Sequence, residues 1–345
     1  RFSLFLNESV SNRVLVNFNP SLEIVDNLFY ELNLGADYSE SDGIVQSSPS
    51  PFSEDEVGGS LSTSNRENTD LLIENTLSYR LDRGFNSATV LAGYSYQEFR
   101  SEGRRTSQGG FNNDGIDPRY QDNISTRNNP IGTDGFAQVN KLQSFFGRLN
   151  YSYDDRYLLT ATMRADGSSK FGDNNEYGYF PSFALGWNVT NERFVDISFL
   201  NNLKVRASWG QTGIQDIPNK ITKQSFTESR GNNDTYPLGV NASSRDDYPF
   251  GIIFTRLANP DIQWEVSTQT DIGIDFQMFN SRLLGTFDYY NKVSDNILLE
   301  ATPADPVQPT STFWANVPDM EIHNSGIELS LEYQSAPAAA FRYSS

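Results

Sequence analysis

Alternation of apolar and polar side chains, repeated segment after segment, is the feature that most narrows what this chain can fold into. Successive residues of a β-strand point to opposite faces, so a two-residue period marks a strand with one apolar side, whereas a helix repeats about every 3.6 residues. Residues 28–38, LFYELNLGADY, put Leu28, Tyr30, Leu32, Leu34, Ala36 and Tyr38 on one face and Glu31, Asn33, Gly35 and Asp37 on the other, with Phe29 out of step. Residues 182–190 set Phe183, Leu185, Trp187 and Val189 against Ser182, Ala184, Gly186, Asn188 and Thr190. Residues 203–209 set Leu203, Val205, Ala207 and Trp209 against Lys204, Arg206 and Ser208. The same reading fits about eleven segments, at 10–18, 23–38, 68–80, 86–99, 140–153, 156–165, 180–190, 201–210, 263–279, 282–292 and 322–333, and predicts an all-β chain.

The links between segments alternate as strictly as the side chains do. Short ones at 19–22, 81–85, 154–155, 191–200 and 280–281 take turns with long ones at about 39–67, 100–139, 166–179, 211–262 and 293–321. An antiparallel up-and-down barrel crossing an outer membrane has this pattern, with tight turns at one rim and long loops at the other. Long structureless loops count against a compact soluble domain, yet a soluble β-sandwich shares the alternation and stays as an alternative. No apolar run approaches the ~18 residues of a membrane helix. The opening RFSLFLNESV lacks the charged start, apolar core and cleavage site of a secretory leader. Neither observation bears on membrane strands, which need only about 9–11 residues. Tyrosines and tryptophans near the ends of the apolar faces, among them Tyr38, Tyr94, Tyr153, Tyr157, Trp187 and Trp209, suit headgroup-level girdles as well as ordinary strand propensity.

Composition closes off much chemistry. There is no cysteine and one histidine, His323, so Cys/His zinc sites, thiol catalysis and disulfide frameworks are excluded. A Ser-His-Asp triad would need His323, which sits in MEIHNSGIELSLEY with no nucleophile motif. Carboxylates are plentiful, but no spacing singles out a glycosidase pair, so no catalytic residue and no enzyme activity is expected. The net charge of -18 argues against nucleic acid, whose phosphates need a basic face. The stretches DGIDP and GDNN fit no EF-hand, and turn formation explains both; no metal and no cofactor is expected.

Longer stretches carry a resemblance. SFFGRLNYSYDDRYLLTATMRADGSSKFGDNNEYGYFPSFALGWNVTNERF at 144–194, LNNLKVRASWGQTGIQ at 200–215, VLAGYSYQ at 90–97, NPDIQWEVSTQTDIGIDFQMFNSRLLGTFDYYNKVSDNILL at 259–299 and NSGIELSLEY at 324–333 closely resemble SusC/RagA-type TonB-linked outer-membrane transporters. The resemblance spans about 68–333 and implies a bacterial outer-membrane barrel filled by a plug, powered through TonB. It implies import of oligosaccharides, or in some members peptides, under a SusD-like surface lipoprotein. Plug, TonB box and terminal strands are not seen in this sequence, so residues 1–333 are expected to form about half of a barrel of about 22 strands, with 334–345 an irregular tail. A barrel that binds or adheres without transport is the alternative within the membrane reading.

Candidate residues follow from the barrel reading. In the loops, Tyr236, Tyr248, Phe250, Phe313 and Trp314 offer flat rings beside amides and carboxylates, which suits sugars; packing of the loops or contact with the lipoprotein partner is the more ordinary explanation. Arg104 and Arg105 could meet anionic sugars or peptide carboxylates, although nearby Glu102, Asp114, Asp117 and Asp122 favour mutual pairing. Arg148, Arg164, Lys204 and Arg206 are expected on the lumen wall, paired with plug carboxylates. Asp166, Gly167, Ser168, Ser169, Phe171 and Gly172 form the loop of the family signature.

Overall fold

A computed structural model describes residues 5–47, 59–111, 132–229, 251–302 and 312–335. The strands are β1 (Phe5–Phe18), β2 (Ser21–Val25), β3 (Leu28–Ser47), β4 (Gly59–Arg83), β5 (Asn86–Phe111), β6 (Gly132–Tyr153), β7 (Tyr157–Ser168) and β8 (Tyr177–Asn188). They continue as β9 (Leu200–Ile214), β10 (Ser225–Ser229), β11 (Gly251–Arg256), β12 (Glu265–Met278), β13 (Leu283–Asp295), β14 (Leu298–Ala301), β15 (Phe313–Asn316) and β16 (Ile322–Tyr333). Among the described residues there is no α-helix, and every strand pair of described register is antiparallel. One sheet runs β1-β3-β4-β5-β6-β7-β8-β9-β12-β13-β16 with β2 added beside β3, while β10-β11 and β14-β15 are separate hairpins.

The eleven predicted segments all fall on strands of this sheet, apart from a residue or two at some ends, Gln263 and Trp264 before β12 among them, and two further differences. Residues 23–38 are β2 and β3 separated by a turn at Asn27, which takes φ 65°; the Asp26-Asn27 pair was a turn signal inside an apolar run. Val189 and Thr190, read as strand, begin a short 3-10 turn at Val189–Asn191.

The described residues divide into two compact units. The first holds residues 1–20, 31–75 and 95–141. Here the structure corrects the loop boundaries: 39–47 and 59–67 belong to β3 and β4, and 100–111 and 132–139 to β5 and β6. These stretches carry no apolar alternation, because their pairing rests on the backbone ladder and on polar contacts between neighbouring strands. Asn65 donates to Asp42 at 3.0 Å, Asn68 to Ser39 at 3.2 Å, and Ser101 to Asn68 at 2.8 Å. On the other side of β3, Val14 pairs with Tyr38, and Arg13 grips Asp37 through both carboxylate oxygens.

The second unit holds residues 21–30, 76–94 and 142–345. Its register lines up one apolar row, Tyr157, Trp187, Val205, Ile274, Phe287 and Leu329, and one residue along a polar row, Leu158, Gly186, Arg206, Gly273, Asp288 and Glu328. A slip of one residue would exchange the faces. The apolar face is bare: Leu185 is 59% and Leu329 67% exposed, where a sandwich would bury both against a second sheet. The soluble sandwich alternative is thereby overturned.

The two ends of this unit differ. At the short-link end, Asp154 and Asp155 turn with φ 52° and 51°, the left-handed pair a two-residue hairpin requires. The 189–199 link is tied there by Glu192, whose buried carboxylate accepts from the Tyr157 hydroxyl (2.6 Å), Trp187 Nε1 (3.1 Å) and Arg156 Nη1 (3.3 Å). The Tyr157 hydroxyl foremost, then Trp187 and Arg156, hold this carboxyl below the usual carboxylate range against the opposing effect of burial. At the long-link end lies the buried apolar cluster: Phe171, Phe180, Ile221, Ile262, Trp264, Ile297 and Leu298.

Candidate functional site: a charged strand face and its cap

The polar face of the second unit is built by β6, β7, β8, β9, β12 and β13. Arg206 on β9 reaches over Gly273 of β12 to Asp288 of β13 (Nη2–Oδ1 2.7 Å) and diagonally to Asp275 (Nε–Oδ2 3.0 Å). The crossing exists because position 273 has no side chain: a Cβ there would run into the Asp288 carboxylate and approach the Arg206 guanidinium. Beside it a cavity of about 310 Å³ is lined by Thr160, Ala184, Gly186, Lys204, Ser208 and Asp271. Small residues on β8 leave the hollow, Leu158 adds an apolar wall, and Lys204, Arg206 and Asp271 bring both signs of charge to it. Further along, Arg164 pairs with Asp166 at 2.7 Å, donates to Ser144 at 2.8 Å and lies 5.5 Å from the centre of the Phe146 ring. Arg148 donates to Thr162 at 3.2 Å.

All four cations expected on the wall therefore stand on the polar face, and three have partners within the sheet itself. Arg164 and Arg206 find carboxylates within the sheet: Asp166 on the same strand as Arg164, Asp275 on the strand beside Arg206, and Asp288 one strand further on. The sequence contained these aspartates, but which strand faces which is not readable from periodicity.

The cap joins segments distant in sequence. Phe171 stacks on Trp264 with ring centres 4.2 Å apart, and Phe180 meets the same indole edge-on at 5.5 Å. Trp264 Nε1 donates to the Glu176 carbonyl at 3.1 Å. Asn174 and Asn175 both bind Asp261, at 2.9 and 3.2 Å, and Gly172 sits where any Cβ would strike the Pro260 carbonyl. Asn316 donates to the carbonyls of Gln263 and Asn296, both at 3.0 Å, which docks the β14-β15 hairpin onto the same segment. Of the residues expected in the signature loop, Asp166, Gly167 and Ser168 are instead the buried end of β7, while Phe171 and Gly172 are buried in the cap and Ser169 is exposed beside them.

The remaining candidates separate. Phe313 and Trp314 lie half-buried on β15, where the Trp314 carbonyl accepts from Asn259 at 2.8 Å. Arg104 and Arg105 stand on β5 rather than in a loop, on opposite faces by alternation. Arg104 borders a hollow of about 390 Å³ with Asn65, Glu67, Glu102 and Phe136, and Arg105 donates to Ser62 at 2.9 Å. Tyr236, Tyr248 and Phe250 lie outside the described residues, as do Asp114, Asp117 and Asp122. Sequence reasoning missed Trp264 and Asp261 as partners of the signature loop, since nothing local links positions about ninety residues apart.

A strand face bare and apolar on one side, charged and hollowed on the other, with tight turns at one end and a built cap at the other, defines a membrane-type antiparallel β-barrel wall. The chain belongs to the TonB dependent receptor-like, beta-barrel family, which matches residues 4–345; this is a family of outer-membrane receptors and transporters rather than of enzymes. It is 30% identical to TonB-dependent receptor P3 of Formosa agariphila over 98% of this chain and 32% of that protein. It is 29% identical to TonB-dependent receptor SusC of Bacteroides thetaiotaomicron over 94% of this chain and 30% of that protein. Among solved structures it matches the RagAB peptide importer in its open-open state with a TM-score of 0.85, over 99% of this chain and 35% of that one, at 22% identity, a likeness of fold. The chain thus spans about a third of the length of these relatives.

Proposed function

We propose that this chain is part of the wall and long-loop cap of a bacterial outer-membrane importer, energised through TonB, that takes up oligosaccharides or peptides together with a SusD-like surface lipoprotein. The observation that carries the reading is the division of faces: Leu185, Ile327 and Leu329 look outward uncovered, while Lys204, Arg206, Asp271 and Asp288 share the opposite side with a cavity. Trp187 and Tyr179 stand about eight positions apart on β8. At about 3.4 Å per residue and a tilt of ~40° they bracket roughly 20 Å of depth, close to the ~25 Å apolar band of outer-membrane barrels. The long-link end of the second unit, with its cap, then belongs to the extracellular side, and Phe313, Trp314 and Arg104 stay the candidates to meet cargo. The relatives named as TonB-dependent receptors support the energy source, while the oligosaccharide or peptide cargo and the lipoprotein partner rest on the resemblance to SusC/RagA-type transporters.

The test is uptake by the complete receptor in its host. Accumulation of labelled oligosaccharide or peptide should stop when TonB is disrupted and fall sharply when the neighbouring surface lipoprotein is deleted. Surface binding that survives with no energy-dependent accumulation would replace import by adhesion.

A further inference from the structure

The 189–199 link is the longest of the described short-end connections in the second unit, and it is rigid where a spare loop would be loose. Val195 N donates to the Glu192 carbonyl at 3.1 Å, Leu200 N to the Ile197 carbonyl at 3.0 Å, and the Asn188 and Asn191 amides both bind the Asp155 carbonyl, at 2.6 and 2.9 Å. Across to the next turn, Phe279 N donates to the Phe199 carbonyl at 2.8 Å and the two rings stack with centres 6.0 Å apart. Yet this braced segment presents Phe194 at 75% exposure, with Ile197 and Phe199 also exposed. A link that needed only to join two strands has no reason to fix large apolar side chains in the open.

The neighbouring rings say what surrounds them. Tyr157 and Trp187 are cross-strand partners on the apolar face, and both turn their polar tips onto the Glu192 carboxylate. Interfacial tyrosine and tryptophan keep the ring in the apolar layer and the polar tip toward water. Glu192 therefore marks the water-side border of the apolar band, and the residues that follow it stand at headgroup depth.

We propose that Phe194, Ile197 and Phe199 form an interfacial anchor that inserts into the headgroup region of the lipid leaflet at the short-turn rim, continuing the band begun by Tyr157 and Trp187. The occupant is lipid because the spur is continuous with the lipid-facing side; the inference rests on the membrane reading above. Its anchoring sets the height of the wall in the bilayer, as aromatic side chains at membrane borders do.

The test uses the full-length receptor, cleared of any native cysteine and reconstituted in liposomes, with a nitroxide label at Phe194→Cys, at Ile197→Cys or, as a mid-band reference, at Leu185→Cys. Collision with oxygen and with a water-soluble nickel chelate reports depth. The oxygen-to-nickel accessibility ratio should be several-fold higher at 185 than at 194 and 197, and at these two clearly above that of the same label on a water-soluble peptide. A water-like ratio at 194 and 197 with a lipid-like one at 185 overturns the anchor and leaves the membrane reading standing. A water-like ratio at 185 overturns both. Low collision with both reagents at 194 and 197 means that protein covers the spur, and lipid is then the wrong occupant.

Discussion

Gly273 shows how one missing side chain organises a charged face. Arg206 can reach Asp288, two strands away, because it crosses a backbone that carries no Cβ. Gly273→Ala should push the guanidinium off Asp288 and destabilise the folded wall by about 1–3 kcal/mol, the usual cost of forcing an extra methyl into a filled site. The check is the temperature at which the detergent-solubilised receptor loses its heat-resistant band on unboiled gels. Glu192 gives a pH signature. Its folded carboxyl titrates below its ordinary value of 4.5, so the stability it adds is fully present above that value and is lost as pH falls through the lower folded one. The thermal stability gap between the native receptor and Glu192→Gln should stay constant from neutral pH down to about 5 and narrow at more acid pH; a gap that widens on acidification would reverse the assignment.

At the scale of the element, turn and cap obey different physics. The Asp154-Asp155 turn holds two non-glycine residues at positive φ, a conformation that costs L-residues energy and glycine none. Asp155→Gly keeps the carbonyl that Asn188 and Asn191 use and should be neutral to stabilising, by up to about 1 kcal/mol, in the same heat-resistance assay. The cap instead depends on one residue reached both from the 169–176 link and from β8. Trp264→Ala removes the surface on which Phe171 and Phe180 pack, and by the scale of buried aromatic truncations it should cost the cap about 3–5 kcal/mol. Limited proteolysis should then cut within 169–176 and 257–264 many times faster, while heat resistance of the strand wall changes little.

For the whole molecule, the two faces of β8 make opposite demands. Leu185→Arg puts a cation on the bare apolar face, at a cost of about 2–4 kcal/mol near the bilayer midplane, and should sharply lower the amount of assembled receptor recovered from outer membranes. Ala184→Arg, one residue away on the cavity side, should assemble at near-native levels and change uptake instead. The sequence by itself determined that the chain is strand after strand, which side of each strand is apolar, and where most strands cross, as β8 and β9 illustrate, because alternation is a property of neighbouring residues. It did not determine how far β3, β4, β5 and β6 run, since Ser-, Asn- and Gly-rich stretches become strand only when a partner's backbone lies alongside. Nor did it determine that Arg206 finds Asp288 across Gly273, or that Phe171 lies on Trp264. Those contacts join residues dozens of positions apart, and only the register of the assembled sheet brings them within reach.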